Sequence, residues 1–168
     1  MATVVTKLFN IIQPEKAYFG QKDIQQTVVL KALVRDLHIP IDLIVSPTIR
    51  ESDGLALSSR NAYLKPDQRG DALSLWHSLK AGMDLYDSDG TVSAMTILKA
   101  AQDEMARSIR DSEGRVGLEY LNIVNPETLE LLTEGDTGKG AILTGAIRLQ
   151  GEGRTIRLID NVILGVDG

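Results

Sequence analysis

The stretch A-Y-F-G-Q-K-D-I-Q-Q-T-V-V-L-K-A-L-V-R-D-L-H-I-P-I-D-L-I-V occupies residues 17–45, and its reading decides the fold. Ala17-Tyr18-Phe19 is a short apolar run suited to a buried strand, broken at Gly20. From Asp23 to about Leu37 the spacing turns helical. Ile24, Val28, Lys31 and Val34 keep to one side, and Leu30, Leu33 and Leu37 broaden the apolar face. Asp23 and Gln26 have the D-x-x-Q form of a capping box, so Asp23 is expected to cap this helix. His38-Ile39-Pro40 ends it, and residues 41–45 read as a second buried strand. Strand, helix, strand is a βαβ unit, whose ligands sit beyond the carboxyl ends of its strands. Phe19 and Val45 are expected to finish side by side there.

The second strand runs into P-T-I-R-E-S-D-G-L-A-L-S-S-R-N, residues 47–61. Pro47, Asp53-Gly54 and Ser58-Ser59 are turn formers, so this is expected to be a long loop at the strand's carboxyl end. Two hydroxyls, nearby backbone N–H groups and the guanidinium of Arg60 together suit a phosphate chain. Lys22 and Gln26 are four apart on the opening turn of the helix and face the same way, where backbone N–H groups favour an anion. Lys22 supplies a mobile positive point and Gln26 an amide that both donates and accepts. A carboxylate near Gln26 and a triphosphate near Lys22 would be an arrangement for acyl-adenylate formation. Taken singly, each residue has a plainer reading: a surface loop with a stray arginine, a solvated lysine, a capping glutamine.

Upstream, Val5, Leu8, Phe9 and Ile12 fall at i, i+3, i+4 and i+7, the buried stripe of a helix that Pro14 stops. No cap or entry turn precedes that helix, so the chain reads as the remainder of something longer. Downstream, Pro66 starts a helix through about Tyr86, with Leu73, Trp76, His77, Leu79 and Lys80 on successive turns. A turn at residues 87–90 leads to another helix, with Met95, Leu98, Gln102 and Met105 as its stripe. Residues 117–124, 141–149 and 155–164 read as strands, the last two joined by a hairpin at residues 150–154. Two helices on a three-stranded antiparallel sheet make a small α+β layer. Arg148, Arg154 and Arg157 lie among Glu152 and Asp160, which suggests a solvated sheet face rather than a basic patch.

The 168 residues are 43% hydrophobic and 24% charged, typical of a soluble globular chain with a real core. A net charge of −5 argues against nucleic acid or an acidic membrane as partner. The absence of cysteine excludes disulfides, thiolate zinc sites and thiol nucleophiles, and is compatible with a cytoplasmic setting. His38 and His77 have no metal-ligand spacing, and no run approaches the ~20 apolar residues of a membrane helix.

Y-F-G-Q-K-D-I-Q-Q at residues 18–26, followed by the loop at 47–61, closely resembles the pantothenate synthetase (pantoate–β-alanine ligase) family. T-V-V-T-K-L-F-N at residues 3–10 and R-L-I-D-N at 157–161 are similar to it as well, so the resemblance covers nearly the whole chain. Residues 57–61, L-S-S-R-N, resemble the K-M-S-K-S loop of the nucleotidyltransferase superfamily, with Arg60 in place of its second lysine and Leu57 where many relatives have methionine. The resemblance implies a Rossmann-like nucleotide domain, here partial and ending near residue 61, and a C-terminal α+β lid over residues 62–168. It implies a two-step reaction: ATP adenylates the carboxylate of pantoate, and β-alanine attacks the acyl-adenylate to give pantothenate and AMP.

By the same resemblance Lys22 and Arg60 are catalytic, neutralising phosphate charge, and Lys22 and Gln26 bind pantoate. Gly20, Lys22, Asp23, Ile49, Leu57, Ser58, Ser59 and Arg60 bind ATP, with Mg2+ accompanying it, and family members tend to form homodimers. The family also carries H-x-G-H, which neither H-I-P at His38 nor H-S-L at His77 matches. The chain is therefore expected to be a C-terminal part that does not ligate alone. A non-catalytic fragment or interaction domain of the same family is the competing reading.

Overall fold

The structure, a computed structural model, describes residues 1–136, 140–151 and 154–165. Its elements in chain order are α1 (Ala2–Ile12), β1 (Lys16–Gly20), α2 (Ile24–Asp36), β2 (Asp42–Ser46), α3 (Arg69–Ser88), α4 (Ala94–Asp111), β3 (Val116–Val124), β4 (Ala141–Gly151) and β5 (Arg154–Leu164). β1 and β2 pair in parallel, and β3-β4-β5 form an antiparallel sheet in that order. The fold is therefore a βαβ unit followed by a small α+β layer, as the hydrophobic spacing predicts.

Register in the parallel pair sets Phe19 opposite Val45 and Gly20 opposite Ser46, so both strands end level. The long loop leaves from that end. It is pinned by a bridge between Arg50 and Ala56 and closes in a 3-10 turn at Ser59–Tyr63. Ser58 caps that turn, its hydroxyl accepting from the Arg60 backbone N–H at 3.2 Å.

The main core lies between the antiparallel sheet and the α3–α4 pair. Leu75 and Leu79 of α3 and Ile97, Ala101 and Met105 of α4 pack on Leu121, Ile123, Leu143, Ile147 and Leu158. A register shift between Leu118 and Tyr120 lets Val116 and Leu121 both turn inward, although they are an odd number of residues apart. A second, smaller cluster joins the two units: Ile24 and Val28 of α2 meet Val124 and Ile142.

Several expectations are corrected. β1 and β2 are not buried strands: neither contributes a core residue and Tyr18 is exposed, because among the described elements only α2 packs on the parallel pair, and lightly. Only Phe9 of the α1 stripe is buried, while Leu8 and Ile12 are exposed, because α1 packs on α2 along one edge. Asp23 makes no side-chain cap bond, since a 3-10 turn at Gln21–Asp23 precedes α2 and changes the approach of its first turn. On α4 the buried face is Ala94, Ile97, Leu98, Ala101 and Met105, whereas Met95 and Gln102 face outward. Ser93 caps α4, which places its start three residues later than the sequence suggests, and α3 likewise runs two residues further, to Ser88. Glu152 and Gly153, the centre of the predicted hairpin turn, lie outside the described residues, as does the Arg154 side chain.

Candidate active site

Lys22 leaves the short turn after β1 and reaches across the strand ends to the long loop. Its ammonium donates to the backbone carbonyls of Ala56 and Leu57, each at 3.2 Å. The two stretches singled out in the sequence thus touch directly. Burial pushes the Lys22 pKa below its ordinary value; Asp160 and Asp23 pull it back up, while Arg50 and Arg60 add to the lowering. Its proton is held less firmly than that of a solvated lysine.

Lys22, Asp23, Ser58 and Arg60 line one cleft of about 130 Å³ together with Arg157, Leu158 and Ile159 of β5. A second cleft shares Lys22, Asp23 and Ile159 and adds Ile24, Gln25, Gln26, Tyr120 and Thr144. Lys22 lines both clefts, so it borders the space near Gln26 and the space near Arg60. Gly20, Ile49, Leu57 and Ser59 line neither cleft. Ile49 is exposed and its carbonyl accepts from the Leu57 N–H at 2.9 Å, which ties the two ends of the loop together. A wider cleft of about 650 Å³ runs between α2, β2 and β5, but of the predicted site residues it contains none.

Asp160, expected on a solvated sheet face, is instead turned inward to the Arg50 guanidinium, and with Asn161 it holds this geometry in place. Asp160 and Asn161 interrupt the apolar run of β5 and are buried. The Asp160 carboxylate accepts from both terminal nitrogens of Arg50, at 2.6 Å and 3.1 Å, a forked pair from sheet to loop. Asn161 donates through Nδ2 to the carbonyls of Gln21 and Lys22, at 3.0 Å and 3.1 Å, and its Oδ1 accepts from Gln21 Nε2 at 3.2 Å. One dipeptide therefore fixes the loop through Arg50 and the Lys22 turn through its backbone. Arg50 also lies 3.9 Å from the centre of the Trp76 ring and donates to the carbonyl of Gly54. The available signal was two adjacent polar residues within an apolar strand: alternation must turn at least one of them inward.

The loop has a second anchor at the start of α3. Arg69 donates to Glu51 at 2.8 Å and to both oxygens of Asp53 at 2.7 Å and 2.8 Å, and holds both carboxyls below their usual range. Asn61 reaches back to the Ala56 carbonyl at 3.1 Å. The arrangement is a cationic cleft with rigid walls, made of groups that bind and orient an anion. Among the described residues no cluster of three or more His, Cys, Asp or Glu could hold a metal ion.

Comparison with known proteins shows the family. The chain matches the family model described as Pantoate-beta-alanine ligase over residues 1–163. It is 46% identical over 164 residues to the pantothenate synthetase of Chloroflexus aggregans, covering 98% of this chain and 55% of that protein. The pantothenate synthetase of Moorella thermoacetica is 46% identical over 167 residues, with 99% and 55% covered. The solved pantothenate synthetase of Thermus thermophilus superposes with a TM-score of 0.76 at 40% identity, covering 96% of this chain and 54% of that one. A pantoate-beta-alanine ligase from Francisella tularensis, complexed with beta-gamma ATP and beta-alanine, gives 0.53 at 25% identity, with 99% and 50% covered. The chain spans about half the length of the curated relatives it matches. With a family model matched from α1 almost to the end of β5, and with the lysine and the serine–arginine loop meeting across the strand ends, the chain belongs to the pantoate–β-alanine ligase family.

Proposed function

We propose that this chain carries the nucleotide-gripping part of an ATP-dependent, AMP-forming pantoate–β-alanine ligase that works through a pantoyl-adenylate. The observation that carries the reading is the bond from Lys22 to the Ala56 and Leu57 carbonyls, which brings its ammonium into one cleft with Ser58 and Arg60. Arg60 and the Ser58 hydroxyl hold the triphosphate. Lys22 neutralises charge on the phosphate oxygens and orients the pantoate carboxylate. Gln26, on the adjoining cleft, hydrogen-bonds pantoate. Gly20, Asp23 and the backbone around Ile49 face the adenosine, and Leu57 and Ser59 complete the loop around the phosphates. Residues 1–61 act as part of the nucleotide domain and residues 62–168 as the lid.

Where Mg2+ accompanies the triphosphate, Asp23 is the carboxylate of that cleft that would help hold it, and the ion would neutralise phosphate charge. The substrates are small: ATP, pantoate and β-alanine. No described helix is long and apolar enough to cross a membrane. We place the enzyme in the cytoplasm, as a homodimer in the manner of its family.

Two measurements test this. Titration of the chain with ATP and Mg2+ is expected to shift amide signals at residues 20–26 and 57–61, and Lys22→Ala is expected to weaken binding about tenfold by removing one charge-assisted contact. Shifts scattered over α3 and α4 instead would sink the reading. These 168 residues contain no H-x-G-H, so the chain assayed by itself with ATP, pantoate and β-alanine is expected to give no pantothenate. Robust turnover would show that the Lys22–Arg60 cleft suffices for catalysis.

A further inference from the structure

Arg157 sits on β5, three residues before the Asp160 that grips Arg50, and lines the same cleft as Lys22, Ser58 and Arg60. It is 46% exposed. Its Nε donates to both oxygens of Glu119 at 3.1 Å, and the same carboxylate accepts from Arg148 Nε at 2.9 Å. Two guanidinium groups thus share one carboxylate, and the trio carries a surplus positive charge beside the cleft. Glu119 would stay paired with Arg148 if Arg157 swung away, so the exchange leaves no carboxylate bare. The backbone of Arg157 cannot drift, because the Asp160–Asn161 dipeptide fastens this part of β5 to the loop and to the Lys22 turn.

We propose that Arg157 is a third phosphate-binding cation of the cleft, carried by the lid sheet and held in reserve by Glu119 until an oligophosphate arrives. The inference rests on the nucleotide reading for the identity of the anion. Its geometry needs only a chain of phosphates. Arg157 would meet the phosphates from β5 and Arg60 from the loop, since both line the one cleft. Glu119 competes with the ligand for Arg157 and sets its affinity.

The test titrates the full chain with ATP–Mg2+ and, separately, with inorganic tripolyphosphate. Arg157→Ala is expected to weaken both about tenfold, the loss of one charge-assisted contact, and Arg157→Lys to recover part of it. Glu119→Gln is expected to tighten both, and the gain is expected to vanish in the Arg157→Ala/Glu119→Gln double variant, which a merely structural ion pair would not produce. If Lys22→Ala weakens binding and Arg157→Ala does not, the role given to Arg157 is overturned while the nucleotide reading stands. If tripolyphosphate binds through Arg157 and ATP binds no better, the phosphate site stands and the nucleotide reading falls. If neither ligand binds, both are overturned.

Discussion

Asp160→Ala is expected to lower stability by about 3–5 kcal/mol, the cost of breaking a buried ion pair from one side. The pair is well enclosed, with side-chain exposures of 19% for Arg50 and 5% for Asp160. Removing the carboxylate leaves the Arg50 guanidinium with the carbonyls of Gly54 and Asn161 and the face of Trp76, all neutral partners. It also removes the acceptor for the Asn161 backbone N–H at 2.8 Å. The effect is expected to reach the site, because Asp160 is the strongest influence holding the Lys22 proton against burial. Without it the Lys22 pKa falls further, so the ammonium titrates at lower pH than in the parent. Phosphate affinity would then be lost earlier on the alkaline side. A denaturant melt gives the first effect, and a carbon-13 titration of the Lys22 side chain gives the second. Asp160→Asn keeps the shape and one acceptor oxygen, so it is expected to lose less stability but to show the same displacement of Lys22. An unchanged Lys22 titration in both variants would confine Asp160 to a structural part.

How far the fold could be read from residues alone depended on which force set each element. β1, α2 and β2 followed from apolar spacing and from Gly20 and Pro40, and the register that puts Phe19 beside Val45 follows from both strands being short and ending at turn formers. The convergence of Lys22 with Ser58 and Arg60 was likewise legible, since a βαβ unit places both strand ends on one side. The failures share a cause: local pattern carries no information about which neighbour covers a face. The α1 stripe is as apolar as any in the chain, yet Leu8 and Ile12 are exposed because little packs against them. Arg157 and Arg148 read as solvated sheet positions, and only the fold shows that they share Glu119 and that one of them borders the cleft. Asp160 and Asn161 were visible as part of a family-like closing motif. Their work depends on contacts with Gln21 and Arg50 more than a hundred residues away, which no periodicity encodes.

Gly54→Ala is expected to cost about 3 kcal/mol, because two separate penalties fall on one methyl group. Gly54 has φ +97, a conformation that L side chains rarely adopt. A β-carbon there would also collide with Nε1 and Cδ1 of Trp76 and lie 2.8 Å from Cε2. The indole is the broad end of a stiff side chain packed under the loop, so it must shift as a unit. Its movement would uncover the ring face on which Arg50 rests, and would slacken the loop that presents Ser58 and Arg60. For a chain of this length the loss corresponds to a melting temperature lower by about 6–12 °C. Trp76 is the sole tryptophan in the sequence, so its fluorescence reports the displacement directly, with emission expected to move to longer wavelength. Gly20→Ala is the matched control. Its φ is −76 and a β-carbon would meet nothing within 4 Å, so stability is expected to stay within about 0.5 kcal/mol of the parent. If Gly20 borders the adenosine as proposed, that variant separates the two effects: a normal melt with weakened ATP binding assigns the position to the nucleotide. A normal melt for Gly54→Ala, with unchanged indole emission, would mean that the loop and Trp76 can part without strain, and the rigid platform assumed for Ser58 and Arg60 would not exist.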